Sequence, residues 1–61
     1  MKGSDLVRML TAQGCRLLRH GANHDIFLNE SNGRKAPVPR HAEIKDSLVR
    51  LILRQLGVAA P

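Results

Sequence analysis

A histidine near the middle of the chain is the residue best suited to chemistry. His24 follows the small, turn-forming residues Gly21-Ala22-Asn23 and precedes Asp25 and the apolar pair Ile26-Phe27. Histidine has an unperturbed pKa of about 6.5, so it can both accept and donate a proton near neutral pH. Because most histidines are not catalytic, His24 taken alone is more often a structural residue that hydrogen-bonds its own turn.

One reaction that a histidine could serve in so basic a chain, with ten Lys/Arg against five Asp/Glu residues, is the cleavage of RNA. Such a reaction removes a proton from a 2′-hydroxyl group and delivers another to the leaving 5′-oxygen. Cationic side chains or N–H donors around the phosphorus stabilise the charge that develops there. One histidine with arginines nearby meets these requirements, and the scheme needs no metal ion or other cofactor.

Zinc binding is a minor alternative for the same histidine. His20 and His24 are four residues apart, a spacing that resembles a pair of metal ligands on a helix. Gly21 and Asn23 argue against a helix at this point, and no cysteine cluster or second acidic group completes a site.

The segment between Arg34 and Lys45 supplies the cations expected to bind RNA phosphates. Pro37 and Pro39 stiffen this segment, so residues beside them are presented at low entropic cost. His41 is the second candidate for catalysis, although bracing the loop before the last helix is its favoured role. The alternative for the whole segment is a solvated loop. The candidate phosphate-binding residues are Arg34, Lys35, Arg40, His41 and Lys45.

Other reactive side chains are assigned structural roles. Cys15 opens an apolar strand without an activating partner, which favours a small buried hydrophobe over a nucleophile. Asp25 and Glu43 are interpreted as surface charges. The chain has no Gly-rich phosphate loop and no Ser-His-Asp set.

Size and charge favour a single basic domain, residues 1–61. Ten Lys/Arg residues face five Asp/Glu residues, for a net charge of +5. This excess favours an anionic partner, nucleic acid first, over a surface that merely happens to be basic.

No apolar run is long enough for a membrane span, and no secretory signal is apparent, so we expect a cytoplasmic protein. So small a core often gains stability from a partner or from oligomerisation.

Periodicity and turn residues predict a helix followed by three strands. Ser4 is the predicted N-cap of a helix over residues 5–13, which Gly14 ends. Strands are predicted over residues 15–19, 24–29 and 34–38, joined by turns at 20–23 and 30–33. The third strand is expected at an edge of the sheet because Pro37 has no N–H to donate.

A second helix closes the predicted fold. Asp46 or Ser47 is its expected N-cap and Gly57 its end. The expected buried stripe is Leu48, Leu51, Ile52 and Leu56, and Val49 and Leu53 widen it into either core or a partner surface. The order predicts an α+β domain with an antiparallel sheet and both helices on one face. The other face would then meet solvent or a ligand.

Motifs along nearly the whole chain, taken together, resemble the HicA (YcfA-like) toxin family of type II toxin-antitoxin systems. They are the opening helix of residues 4–14, Gly21-Ala22-Asn23-His24-Asp25-Ile26-Phe27, Gly33-Arg34-Lys35, Val38-Pro39-Arg40-His41, Glu43-Ile44-Lys45 and the closing helix of residues 48–58. The combination is specific, although no single motif is.

The resemblance implies both a fold and a function. The fold would be similar to a double-stranded-RNA-binding domain, helix-strand-strand-strand-helix. The function would be a metal-independent endoribonuclease that cleaves mRNA and halts translation, with His24 at the position of the family's catalytic histidine. The implied partner is a HicB-type antitoxin that covers the active site, and the oligomeric state of that complex is open. The alternative is a non-catalytic RNA-binding module of the same fold.

Overall fold

The computed structural model describes residues 1–59, and Ala60 and Pro61 of the predicted domain lie outside the described residues. The chain forms α1 (Gly3–Ala12), β1 (Cys15–His20), β2 (His24–Asn29), β3 (Arg34–Pro39) and α2 (Asp46–Leu56). This order confirms the predicted helix-strand-strand-strand-helix fold. Each predicted strand begins at the observed residue, and β1 and β3 each extend one residue beyond the prediction.

The three strands form an antiparallel sheet in the order β1-β2-β3. His24, at one end of the central strand, pairs with Pro39, and Asn29 at the other end pairs with Arg34. β3 therefore lies at an edge, as predicted from Pro37. An edge strand tolerates proline because one side of its backbone has no neighbouring strand to bond.

A single hydrophobic core joins the sheet to both helices. α1 contacts β1, and α2 contacts β3. Because residues from both helices belong to one buried cluster with the sheet, the helices cover the same face. The buried cluster consists of Leu6, Leu10, Cys15, Phe27, Ala36, Val38, Ile44, Val49, Ile52, Leu53 and Leu56. Cys15 is thus the buried hydrophobe that was predicted.

The buried stripe of α2 differs from the prediction. Leu51 is 43% exposed, whereas Val49 and Leu53 are buried in the core. Buried positions 49, 52, 53 and 56 follow the i, i+3, i+4, i+7 spacing of one helical face. A face that starts at Leu48 would instead bring Gln55 toward the core. The helix is therefore rotated so that the wholly apolar face is buried.

The predicted N-caps are also wrong. α1 begins at Gly3, with Lys2 before it, and α2 begins at Asp46, with Lys45 before it; neither helix has a side-chain cap. Tertiary backbone contacts fix the start of α1, because Gly3 N–H donates to the Ala42 carbonyl at 3.0 Å. A Cβ atom at Gly3 would lie only 2.5 Å from the His41 carbonyl oxygen, so glycine permits this close approach.

The C-terminal ends of both helices follow the prediction. α2 ends at Gly57, which has a φ of 68° and adopts the left-handed conformation that glycine permits. Gly14, with a φ of 86°, follows α1 in the same way. Among residues 1–59, no helix has the length and apolar character needed to cross a membrane.

Candidate active site

His24 is exposed at the start of the central strand. Along β2 the helix-facing side chains are Asp25, Phe27 and Asn29, of which the last two are buried. Successive side chains of a strand point to opposite faces. His24 therefore shares the face turned away from the helices, here called the open face, with Ile26 and Leu28.

The turn before His24 is closed by a backbone hydrogen bond. Gly21 N–H donates to the His24 carbonyl oxygen at 2.6 Å. Among the described residues, positive φ values occur only at Gly14, Gly33 and Gly57. Ala22 thus fits the turn without backbone strain. Gly21 is the constrained position, since a Cβ atom there would lie 2.8 Å from the His24 carbonyl oxygen.

Arg40 fastens this turn to the end of β3. Its Nε donates to Asp25 Oδ1 at 2.8 Å. Its Nη2 donates to the Gly21 carbonyl and, at 3.5 Å, to the His24 carbonyl. One guanidinium therefore holds the backbone on both sides of the turn that positions His24.

Asp25 is not the free surface carboxylate that the sequence suggested. Its side chain is 22% exposed, and its Oδ1 accepts from Arg40 Nε and bonds His20 Nδ1, each at 2.8 Å. The hydrogen bond from Arg40, followed by that from His20, holds the pKa of the Asp25 carboxyl below its usual value. The ionised carboxylate of Asp25 is therefore stabilised by its contacts with Arg40 and His20.

The two histidines that flank the turn do not form a metal pair. His20 pairs with Asp25 across the sheet and lies on the helix side, whereas His24 lies on the open face. Within residues 1–59, no group of three or more His, Cys, Asp or Glu side chains is arranged to hold a metal ion.

The predicted phosphate-binding residues fall into separate places. Arg40 and His41 follow β3 beside the turn, and His41 also contacts Gly3 through its carbonyl oxygen. Lys35 lies opposite Leu28 on the open face. Arg34 lies at the far end of the sheet, about 17 Å from His24 at roughly 3.3 Å per residue. Lys45 immediately precedes α2. RNA binding by any of them stays a prediction.

Sequence reasoning missed two cations of the open face. Arg16 pairs with Leu28 across the sheet, and Arg19 pairs with Ile26. Residues paired in an antiparallel sheet project to the same face, so both arginines join Lys35 there. Simple alternation from Cys15 places Arg19 on the helix side, and the sequence carries no clear signal of the register shift that reverses it.

Sequence comparison with known proteins identifies the family of this chain. The fold is that of a small α+β domain similar to double-stranded-RNA-binding domains, with a histidine on a basic sheet face. The sequence model described as "HicA toxin of bacterial toxin-antitoxin" matches residues 3–58. The chain belongs to this toxin family.

Two relatives from Escherichia coli show how far the similarity extends. The chain is 39% identical over 61 residues to the "Probable mRNA interferase HicA" of strain O157:H7. It has the same identity to the "Probable mRNA interferase toxin HicA" of strain K12. Each alignment covers 97% of this chain and 100% of the relative. No solved structure gives a significant match.

Proposed function

We propose that this protein is the toxin of a HicA/HicB-type toxin-antitoxin system and a metal-independent endoribonuclease that cleaves mRNA, with His24 as its general acid/base. Family membership and the names of its two relatives support the activity. The observation that carries the assignment is the exposure of His24 on a sheet face bearing Arg16, Arg19 and Lys35. The site of action would be the cytoplasm, where mRNA is translated.

The proposed reaction uses only the imidazole of His24 and the cationic side chains of the open face. The 2′-oxygen of the RNA attacks the adjacent phosphorus as His24 removes its proton. The bond from phosphorus to the 5′-oxygen breaks, and that oxygen takes up the proton held by His24, which returns to its neutral form. The products are a 2′,3′-cyclic phosphate and a 5′-hydroxyl. Cationic donors stabilise the phosphorane between these steps.

The cationic side chains are proposed to have two roles, the binding of RNA and the positioning of the turn before His24. Lys35 would hold RNA phosphates on the open face. Arg34 and Lys45 lie outside this face and would contact RNA beyond its rim. Arg40 would act chiefly on the turn, since most of its guanidinium donors already bind protein. His41, exposed beside Arg40, would brace the loop and contact phosphate.

A HicB-type antitoxin is the proposed protein partner. It would cover the open face and so block access to His24. The half-buried Ile26 and Leu28 lie there among cationic side chains. An antitoxin surface with an apolar centre and an acidic rim would complement this pattern.

The decisive experiment compares purified wild type, His24→Ala and His41→Ala on a defined RNA and in inducible growth assays. We expect His24→Ala to keep its fold but lose cleavage and growth arrest, whereas His41→Ala keeps most cleavage. Loss only in His41→Ala would transfer the catalytic role to that residue. RNA binding without cleavage by the wild type would favour the non-catalytic module. Rescue of growth by the product of an adjacent reading frame would test the antitoxin.

Proton transfer by histidine also predicts pH dependence. If it limits the rate, cleavage should change across about pH 5 to 8. A flat single-turnover profile over that range would assign the limiting step to another group.

A further inference from the structure

We propose that Arg19 holds the scissile phosphate beside His24 and stabilises the charge that develops on it. This assignment rests on the proposed function. It concerns a residue outside the cationic segment of residues 34–45.

A β-bulge places Arg19 on the open face. Leu17 pairs with Phe27 and Arg19 pairs with the next partner residue, Ile26, so Leu18 is an extra residue in β1. Such an insertion changes the phase of the side-chain alternation. Without it, Arg19 would project with Leu17 toward the helices.

The contact of His20 supports this placement independently. His20 Nδ1 lies 2.8 Å from Asp25 Oδ1, and Asp25 belongs to the helix-facing row of β2. Since adjacent strand residues alternate, the side chain of Arg19 projects to the other face. Arg19 is also exposed, which leaves its guanidinium accessible to a ligand.

Arg19 is a diagonal neighbour of His24. Its direct partner is Ile26, and His24 lies two residues before Ile26 on the same face. Diagonal cross-strand neighbours are about 7–8 Å apart, within reach of long side chains. A phosphate group between the two side chains can therefore contact the guanidinium and the imidazole together.

Two other cations near this face, Arg16 and Arg40, have protein partners. Arg16 Nε forms an ion pair with Glu30 Oε2 at 3.1 Å, and Arg40 Nε binds Asp25. Lys35 lies across from Leu28, four residues along β2 from His24. In the part of the chain that the structure describes, Arg19 takes part in none of the ion pairs.

Arginine suits the proposed role because its planar N–H groups match two phosphate oxygens at once. As the 2′-oxygen attacks, negative charge grows on the non-bridging oxygens. Arg19 would donate hydrogen bonds to these oxygens and lose no proton. Proton transfer stays with His24.

The test measures single-turnover cleavage of a short RNA by wild type, Arg19→Gln, Arg19→Lys and Arg50→Gln. Arg50 is an exposed cation of α2, away from the open face, and serves as the matched control. We expect Arg19→Gln to lower the rate at saturating RNA about 100-fold, in the range for loss of one transition-state donor. Arg19→Lys should recover part of this loss because it keeps charge without the planar fork. A wild-type rate for Arg19→Gln would overturn the proposal.

A binding assay separates failure of this proposal from failure of the proposed function. The probe is the same RNA with a 2′-deoxy substitution at the cleaved nucleotide, or the unmodified RNA if wild type does not cleave it. Loss of one phosphate contact should reduce the salt-dependence slope of binding by about 0.7 in Arg19→Gln but not in Arg50→Gln. An unchanged slope for Arg19→Gln would place the phosphate elsewhere, whatever the enzymatic result.

Discussion

Arg40 Nε donates a 2.8 Å hydrogen bond to Asp25 Oδ1, while Nη2 of the same guanidinium reaches the carbonyl oxygens on both sides of the turn before His24. The residue after β3 thereby holds the start of β2. Lysine cannot reproduce this set of contacts, since its ammonium is a compact charge without a planar fork.

Replacing Arg40 should therefore impair cleavage through the position of His24. We expect Arg40→Gln and Arg40→Lys to lower the single-turnover rate about 10- to 100-fold, because small displacements of a catalytic group are costly. The matched control is Arg8→Lys, which alters an exposed Arg–Asp pair on α1 at 3.4 Å. Full activity in Arg40→Lys would show that charge alone suffices at this position.

The ion pair of Asp25 should make the free energy of unfolding depend on pH in the acidic range. The pKa of Asp25 is lowered in the folded protein, so its carboxylate stabilises the fold above the unfolded pKa of about 3.9. That stabilisation is lost as the pH falls through the lower folded pKa. Urea unfolding from pH 7 to pH 2 should show the stability gap between wild type and Asp25→Asn shrinking at the acid end. A gap that stays constant with pH would contradict this role.

Gly21 should be more sensitive to substitution than its neighbour. A methyl group at Gly21 would lie 2.8 Å from the His24 carbonyl oxygen, so Gly21→Ala must displace the turn. We expect a loss of cleavage of about tenfold or more, with near-native circular dichroism. Ala22→Ser adds one heavy atom at an exposed position and is the control. Equal rates for the two variants would show that the turn adjusts freely.

Asn29 should contribute to stability rather than to catalysis. It is 2% exposed, and its Nδ2 donates to the Leu56 carbonyl at 2.8 Å at the end of α2. Its Oδ1 accepts from Ser31 N–H and Oγ–H. Asn29→Ala should lower the free energy of unfolding by about 1–3 kcal/mol, since it removes three hydrogen bonds from a buried site, although Asn32 Nδ2 still donates to the Leu56 carbonyl at 3.0 Å.

The control for Asn29 is Asn23→Ala, which removes an exposed amide and should change stability by less than about 0.5 kcal/mol. Chemical unfolding followed by circular dichroism measures both. Similar losses in the two variants would mean that the bond to Leu56 is of little consequence.

RNA binding should depend on the charge of the open face. Lys35→Gln should reduce the slope of log affinity against log salt by about 0.7 for single-stranded RNA, because one phosphate contact is lost. Arg50→Gln on α2 keeps the open face intact and should leave the slope unchanged. If the control alone changes the slope, RNA binds the helical side.

Much of the architecture follows from local sequence signals. Gly14 and Gly57 mark the ends of the helices because glycine readily adopts positive φ. Pro37 indicates the edge strand because it lacks an N–H. The small residues before His24 predict its turn, and the family motifs predict its role. These are effects of one residue or of a few neighbours, so they are visible in the chain itself.

The starts of the helices and the rotation of α2 depend on distant segments. Ser4 is a good capping residue, but the Ala42 carbonyl binds Gly3 N–H and sets the start of α1. Leu51 is as apolar as Val49, yet the wholly apolar face of α2 packs on the sheet and leaves Leu51 exposed. The residue at which a helix starts and the face that it buries depend on which distant segments are available to hydrogen-bond and pack against it.

The same distinction applies to the site. The sequence by itself determined the element order, the basic charge and the histidine that follows the turn. Tertiary structure decided that Asp25 and Arg40 bind each other and that Arg19 shares a face with His24. The reason is physical, because both relationships depend on strand register. The register of β2 and β3 brings Arg40 beside Asp25, whereas the extra residue at Leu18 shifts β1 against β2 and places Arg19 on the face of His24.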